Sequence, residues 1–222
     1  MFRGDAAAGR CYTFVMRFLP AIALAALFSA CTARLESGTS PAIDSGQAVS
    51  IAMPVSRSGA DRVGAQLPSS IELSTADSSP VPRATLLRWW TDTCPFCVAS
   101  LPALEQLRVT YADRGLQTIA VYHPKPPRAL DSVDIEMVRA DALERGYSGR
   151  LLMDAEWSSL KELWLSTGKR SATSASFLCD ANGVVRFVHP GPEFHRSDDS
   201  AHALCDEDFR ALEQAVQFLL TD

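Results

Sequence analysis

From about residue 69 onward the chain alternates short apolar runs with amphipathic stretches, and the repeat of the apolar positions separates strand from helix. Ile71-Glu72-Leu73 is a short strand candidate. Ala84 to Trp90 (ATLLRWW) is apolar almost throughout and of strand length, which predicts a central strand covered on both faces. Cys97 to Arg114 carries Val98, Leu101, Leu104, Leu107 and Tyr111 at helical spacing, and Gly115 closes it. Leu116 to Tyr122 (LQTIAVY) predicts a second central strand, stopped by His123-Pro124 and a Pro-rich loop to Pro127. Val133 to Arg145 fits a helix capped by Gly146, Leu151 to Met153 a short strand, and Glu156 to Leu165 a short helix rich in Trp and Leu. Ala175 to Cys179 and Val184 to Val188 read as two strands of a hairpin around Asp180-Ala181-Asn182-Gly183, where Asn-Gly supplies the positive φ of a tight turn. Asp206 to Leu220 predicts a C-terminal helix.

The resulting order is β-α-β, an inserted helix-strand-helix, a β-hairpin and a helix. The first half demands a crossover and parallel strands, the hairpin an antiparallel pair. The expected fold class is therefore α/β, with a mixed central sheet flanked by helices on both faces and a helix-strand-helix insertion.

Ahead of that pattern lies a different kind of sequence. Phe18 to Phe28 is an apolar stretch of signal-peptide length following Met16-Arg17, with Met16 the better initiator than Met1. With the upstream start, Arg3, Arg10 and Arg17 still form a positive leader. The stretch ends in Leu27-Phe28-Ser29-Ala30-Cys31, which resembles a bacterial lipobox, with Phe28 where Leu is usual. Residues 1–30 thus read as a signal peptide and Cys31 as the lipidation site. An ordinary secretory signal with a Cys nearby is the other reading. Residues 31–68, dominated by Ser, Gly, Ala and Pro, read as a lipidated N-terminus and flexible tether, or as a loosely packed extension, and 69–222 as the folded domain. The implied location is the bacterial cell envelope, lipid-anchored and facing the periplasm.

Composition narrows the function. The 222 residues carry a net charge of −5 with no cluster of Lys and Arg, which argues against a nucleic-acid partner. The six Cys carry most of the chemistry.

Cys94-Pro95-Phe96-Cys97 sits where a predicted strand ends and a helix begins. Two intervening residues let the sulfurs reach disulfide distance across one turn. Pro95 takes the favoured first helical position, and the unpaired amides of the helix start stabilise a thiolate at Cys94. Cys94 is then the nucleophile and Cys97, one turn in, the resolving thiol. C-x-x-C also occurs in zinc sites, but those bring a second pair, and none exists here.

Residues 84–107 (ATLLRWWTDTCPFCVASLPALEQL) resemble the active-site segment of TlpA/ResA-type thioredoxin-like proteins, including Pro102 in the helix. Phe177-Leu178-Cys179-Asp180-Ala181-Asn182-Gly183 is similar to their hairpin, and 131–165 to their central insertion. The resemblance covers roughly residues 69–220. It implies a thioredoxin-like fold and thiol–disulfide exchange on exported proteins, including apocytochrome c. It also implies a membrane or exported thiol reductant as partner and no cofactor or metal beyond the Cys pair. Thr93 replaces the usual Trp before the first Cys, and Ser174 stands at the position of the family's cis-Pro, after Thr173. A non-proline cis bond costs about 2.5–4 kcal/mol, so a trans peptide is expected there. Arg88 occupies a strand position where relatives carry Asn or an acid. Facing inward it would favour the thiolate, and the other reading points it to solvent or to an Asp. Trp90 reads as core and Phe96 as an exposed tip.

Among the remaining residues, Cys179 reads as a small buried hydrophobe, with a Cys179–Cys205 disulfide as an alternative. Cys205, His189, His195 and His202 are ligand-type residues, weighed against plain turn and surface histidines. Asp131, Asp134, Glu136 and Asp206-Glu207-Asp208 read as solvated faces. Two further functions are compatible with the motif. Thr91-x-x-Cys94 has the spacing of a peroxiredoxin-like peroxidase, without its preceding Pro. A copper-binding chaperone resembling the Sco proteins would share the fold, with a wider Cys spacing.

Overall fold

In a computed structural model, residues 51–71, 73 and 81–221 are described. Met16, Cys31 and the leader lie outside them, as does Glu72 of the first strand candidate; Ile71 and Leu73 are not in a strand.

The sheet has five strands in the order β3-β2-β1-β4-β5. These are β1 (Ala84–Trp90), β2 (Leu116–Tyr122), β3 (Arg150–Met153), β4 (Ser176–Asp180) and β5 (Val185–His189). β1, β2 and β3 are mutually parallel neighbours, whereas β4 pairs antiparallel with both β1 and β5. The two central strands are buried along nearly their whole length, as their unbroken apolar runs require.

Strand alternation splits the core in two. Leu86, Trp90, Ala120, Tyr122, Leu178 and Phe187 face α2 (Leu101–Tyr111), α3 (Ile135–Glu144) and α5 (Ala203–Leu220). Leu87, Trp89, Ile119, Val121, Phe177 and Val188 face α4 (Ser158–Leu163) and the segment holding Leu67 and Ile71. The helix expected over 97–114 is broken: α1 (Pro95–Ala99) ends at Ser100, and Pro102 opens the first turn of α2. The hairpin differs as well. Of its turn residues only Gly183 has positive φ, at 75°, so Asn182 does not take the left-handed conformation. Asp180 Oδ1 instead accepts from Asn182 N (2.9 Å) and Val184 N (3.1 Å), the mark of an Asx turn.

The tether reading fails for residues 51–68. Gly64 N donates to Val185 O, Val185 N to Ala65 O and Val188 N to Ser56 Oγ, while Leu67 is buried. Gly59, at φ 79°, lies so close to Val188 and Trp164 that a Cβ there would meet Val188 at 2.9 Å. The apolar spacing is too sparse to announce this packing, because most of it runs through the backbone. Three acids expected on solvated faces are also engaged. Asp134 caps α3 by accepting from Met137 N, Asp206 is buried and paired with Arg196 and Arg210, and Asp208 pairs with His189 and Arg57. Among the described residues no helix is long and apolar enough to cross a membrane.

Candidate active site

β1 runs out at Trp90, and the chain turns through Thr91-Asp92-Thr93 into α1. Cys94 is the residue capping that helix: its backbone is extended (φ −112°, ψ 108°), Pro95 follows as first helical residue, and Cys97 N donates to Cys94 Sγ at 3.4 Å. A donor that would otherwise be orphaned at the helix start is thus aimed at the sulfur. Cys94 is partly exposed, flanked by exposed Thr93, Pro95 and Phe96, whereas Cys97 is fully buried. Burial pushes the Cys97 thiol up; the Cys94 sulfur adds to this, and the Ser174 hydroxyl and the Arg88 charge oppose it. All four described cysteines are free thiols, so Cys179 and Cys205 are not bonded to each other.

Arg88 faces inward, and the expectation of a solvent or Asp partner is overturned. Its position on β1 has the parity of Leu86 and Trp90, so it points to the face covered by α1, α2 and α5. It is fully buried. Its guanidinium donates to Ser174 O (3.2 Å), Ser176 Oγ (3.2 Å), Gly191 O (3.4 Å), Ser100 Oγ (3.3 Å) and Pro192 O. Phe194 stacks on it at 5.3 Å. No carboxylate is among these hydrogen-bond partners. Desolvation draws its pKa down to about 10, opposed by the nearby charges of Cys97, Cys94 and Glu193.

Ser174 is buried, and no cis bond precedes it: the described cis peptide is Lys125-Pro126. Its carbonyl is held by Arg88, which distinguishes this loop from one whose backbone is free to receive a substrate. Thr173 is buried beside it with an unpartnered hydroxyl, and Trp90 packs edge-on against Tyr122, as core. Thr91 is buried, its hydroxyl donating to Asp92 Oδ1 at 3.2 Å.

Sequence reasoning missed two residues. Ser100 Oγ accepts from Arg88 and from Phe194 N (3.1 Å) and donates to Phe96 O (3.4 Å), joining α1 to the cation and to the loop over it. Its place three residues after Cys97, on the same helix face, is the signal that could have found it. His123, read only as a strand stop, is buried with both ring nitrogens unpartnered and its ring edge-on to Trp157 at 5.3 Å. Burial, with Lys125 nearby, draws its pKa down to about 4.

A mixed five-stranded sheet presenting a dithiol at the start of a helix, directly after the central strand, defines a thioredoxin-like architecture. No protein-family model matches the chain, and no curated protein matches it. Solved structures do. A protein of Bacteroides thetaiotaomicron described as a candidate protein disulfide isomerase superposes with a TM-score of 0.51 at 17% identity, over 72% of this chain and 91% of that one. A candidate thiol:disulfide interchange protein, DsbE, of Chlorobium tepidum gives 0.46 at 23% identity, over 64% and 82%. A thioredoxin-family thiol:disulfide interchange protein of the same organism gives 0.44 at 19%, over 63% and 81%. The first of these likenesses establishes the fold, which is the thioredoxin-like one that the TlpA/ResA resemblance implied.

Proposed function

We propose that the chain is a thiol–disulfide oxidoreductase acting on protein disulfides outside the cytoplasm, with Cys94 as nucleophile and Cys97 as resolving thiol. The observation that carries this reading is the graded burial of the pair above a buried cation. Cys94 is open to a partner, Cys97 is shielded beneath it, and the Arg88 charge acts on both sulfurs.

In the reductive direction the Cys94 thiolate attacks one sulfur of a partner disulfide. The partner's other sulfur leaves as a thiolate and takes a proton from water. Cys97, deprotonated, then attacks Cys94 Sγ, closing the Cys94–Cys97 disulfide and releasing the second partner sulfur. Two electrons pass to the partner, and an exported thiol reductant returns them. Phe96, exposed between the two Cys, and a cleft of about 180 Å³ lined by Asp92, Tyr122, Arg128 and Met137 offer surfaces for docking an extended polypeptide. The envelope location, the lipid anchor at Cys31 and apocytochrome c as one substrate belong to the same proposal. No cofactor is needed for this exchange.

The test is equilibration of the full chain in glutathione or dithiothreitol redox buffers, with Cys94 and Cys97 followed by mass-tagged alkylation. A reversible two-electron couple is expected, near about −270 mV for a reductase or about −120 mV for an oxidant. Cys97→Ser is expected to accumulate a mixed disulfide through Cys94. A pair that never cycles would sink the reading.

A further inference from the structure

The loop after β5 and the first turn of α5 bring four chemically distinct side chains to one spot. Glu193 and His195 come from the loop, His202 and Cys205 from the helix start, and their ligand atoms all lie within 4.8 Å of one another. One oxygen is central: Glu193 Oε1 is 3.2 Å from Cys205 Sγ, 3.7 Å from His195 Nε2 and 3.8 Å from His202 Nδ1. The two imidazoles stand 5.0 Å apart, centroid to centroid, tilted by 56°. His189, which the sequence grouped with them, is not part of this set. It is buried and turned away, with Nε2 on Asp208 Oδ2 at 3.1 Å.

We propose that Glu193, His195, His202 and Cys205 form a binding site for a divalent transition-metal ion of the zinc type. The donor set is one thiolate, two imidazoles and one carboxylate, the mixture that a borderline-soft tetrahedral cation selects. Metal–sulfur and metal–nitrogen or –oxygen bonds of about 2.3 and 2.0–2.1 Å place tetrahedral ligand atoms about 3.3–3.6 Å apart. The three separations from Glu193 Oε1 fall close to that range, and a pair at the 4.8 Å limit needs to close by about 1.2–1.5 Å. His202, the most exposed member with 46% of its side chain accessible, sits where such an adjustment is easiest.

Charge closes too. A divalent ion exactly offset by one thiolate and one carboxylate leaves a neutral site, with the thiol proton released to water on binding. Without a cation the thiol is left facing a carboxylate oxygen at 3.2 Å.

The ligands also pair in sequence. Glu193 and His195 are two apart in the loop, and His202 and Cys205 are three apart at the start of α5, so one ion fastens the loop to the helix. The same loop supplies the Gly191 and Pro192 carbonyls and the Phe194 ring that enclose Arg88. The metal would be a structural tie for that enclosure, held by ligands other than the Cys94–Cys97 pair.

The experiment uses the full chain carrying Cys94→Ser and Cys97→Ser, so that no dithiol competes and its outcome is independent of the redox proposal. The reduced protein is loaded with Zn²⁺, dialysed and measured by elemental analysis, and in parallel titrated with Co²⁺. About one tightly held zinc per chain is expected, with a thiolate-to-cobalt charge-transfer band and the visible bands of a tetrahedral ion. Adding Cys205→Ser should abolish the charge-transfer band and weaken affinity more than about 100-fold, beyond the loss typical of an outer-shell change. His202→Gln should weaken binding by at least about tenfold, and Cys179→Ser should leave it unchanged. Far-UV circular dichroism checks that each variant is folded. No retained zinc in the folded parent, a cobalt spectrum without the thiolate band, or binding that survives Cys205→Ser would each overturn the proposal.

Discussion

Arg88 and Trp89 are neighbours on β1, and behind each lies a buried charge, one on either face of the sheet. On the α4 face Asp154 accepts from Trp89 Nε1 (3.0 Å), Ser159 N (3.1 Å), Leu160 N (2.8 Å) and Ser158 Oγ (3.3 Å). Every donor belongs to the scaffold, and the carboxylate finishes the start of α4. On the other face Arg88 is wrapped by neutral oxygens, keeps Nε without a partner, and acts electrostatically on two thiols. Both charges are held by dipoles rather than by an opposite ion. They differ in that Arg88 has two thiols within its field, those of Cys94 and Cys97. Burial of a charge therefore marks a structural knot on one face and a candidate reactive centre on the other.

Substitutions on the two faces should separate these roles. Asp154→Ala strands four donors and is expected to cost about 3–4 kcal/mol in denaturant unfolding. The pH profile of Cys97 alkylation, read in a Cys94→Ser background, should stay where it is; a shift would erase the contrast. Arg88→Met strands several buried acceptors and should cost about 2–3 kcal/mol. It should also move that Cys97 profile up, because the Arg88 charge opposes the upward push on this thiol, and Arg88→Lys should largely restore it even if stability stays low. An unmoved profile in Arg88→Met would reduce the cation to packing.

His123 lies electrically between the two, raised by Asp154 and lowered by Arg88, with burial dominant. Its folded pKa, about 4, is below the ordinary 6.5, so the unfolded chain takes up the proton first. Stability is full above pH 6.5 and falls as pH drops toward 4, by on the order of 3 kcal/mol from this residue. His123→Phe should flatten that limb in urea titrations at stepped pH. The smallest effect is Ser176→Ala, which removes one acceptor from Arg88 and should cost about 1 kcal/mol.

The strands were legible because a doubly covered strand must be apolar throughout: the ranges expected for β1 and β2 are those observed. The Cys pair was legible because its spacing and its place at a strand–helix junction are local. What escaped depends on distant partners. The parity of β1 assigns Arg88 to the α2 side but not its burial, because the carbonyls that make burial tolerable come from residues 174, 191 and 192. The break at Ser100 has the same origin, since its hydroxyl serves Arg88 and the loop above as well as the Phe96 carbonyl of α1. His195, His202 and Cys205 were noticed by type, yet Glu193 was not, and His189 was grouped with them although its partner is Asp208.

The backbone bonds from residues 64 and 65 to Val185, and the bridge between Gln66 and Val184, have a consequence for how the molecule behaves in a crowd. β5 is the last strand of its side of the sheet, and a last strand offers a row of open amides and carbonyls to any other extended chain. Residues 56–67 occupy part of that row, with Ser56 taking Val188 N and Leu67 N reaching Gly183 O. A chain trimmed at residue 69 would lose this cover and present β5 as a template for self-association, so solubility and the working unit both begin upstream of the apolar pattern that announces the fold.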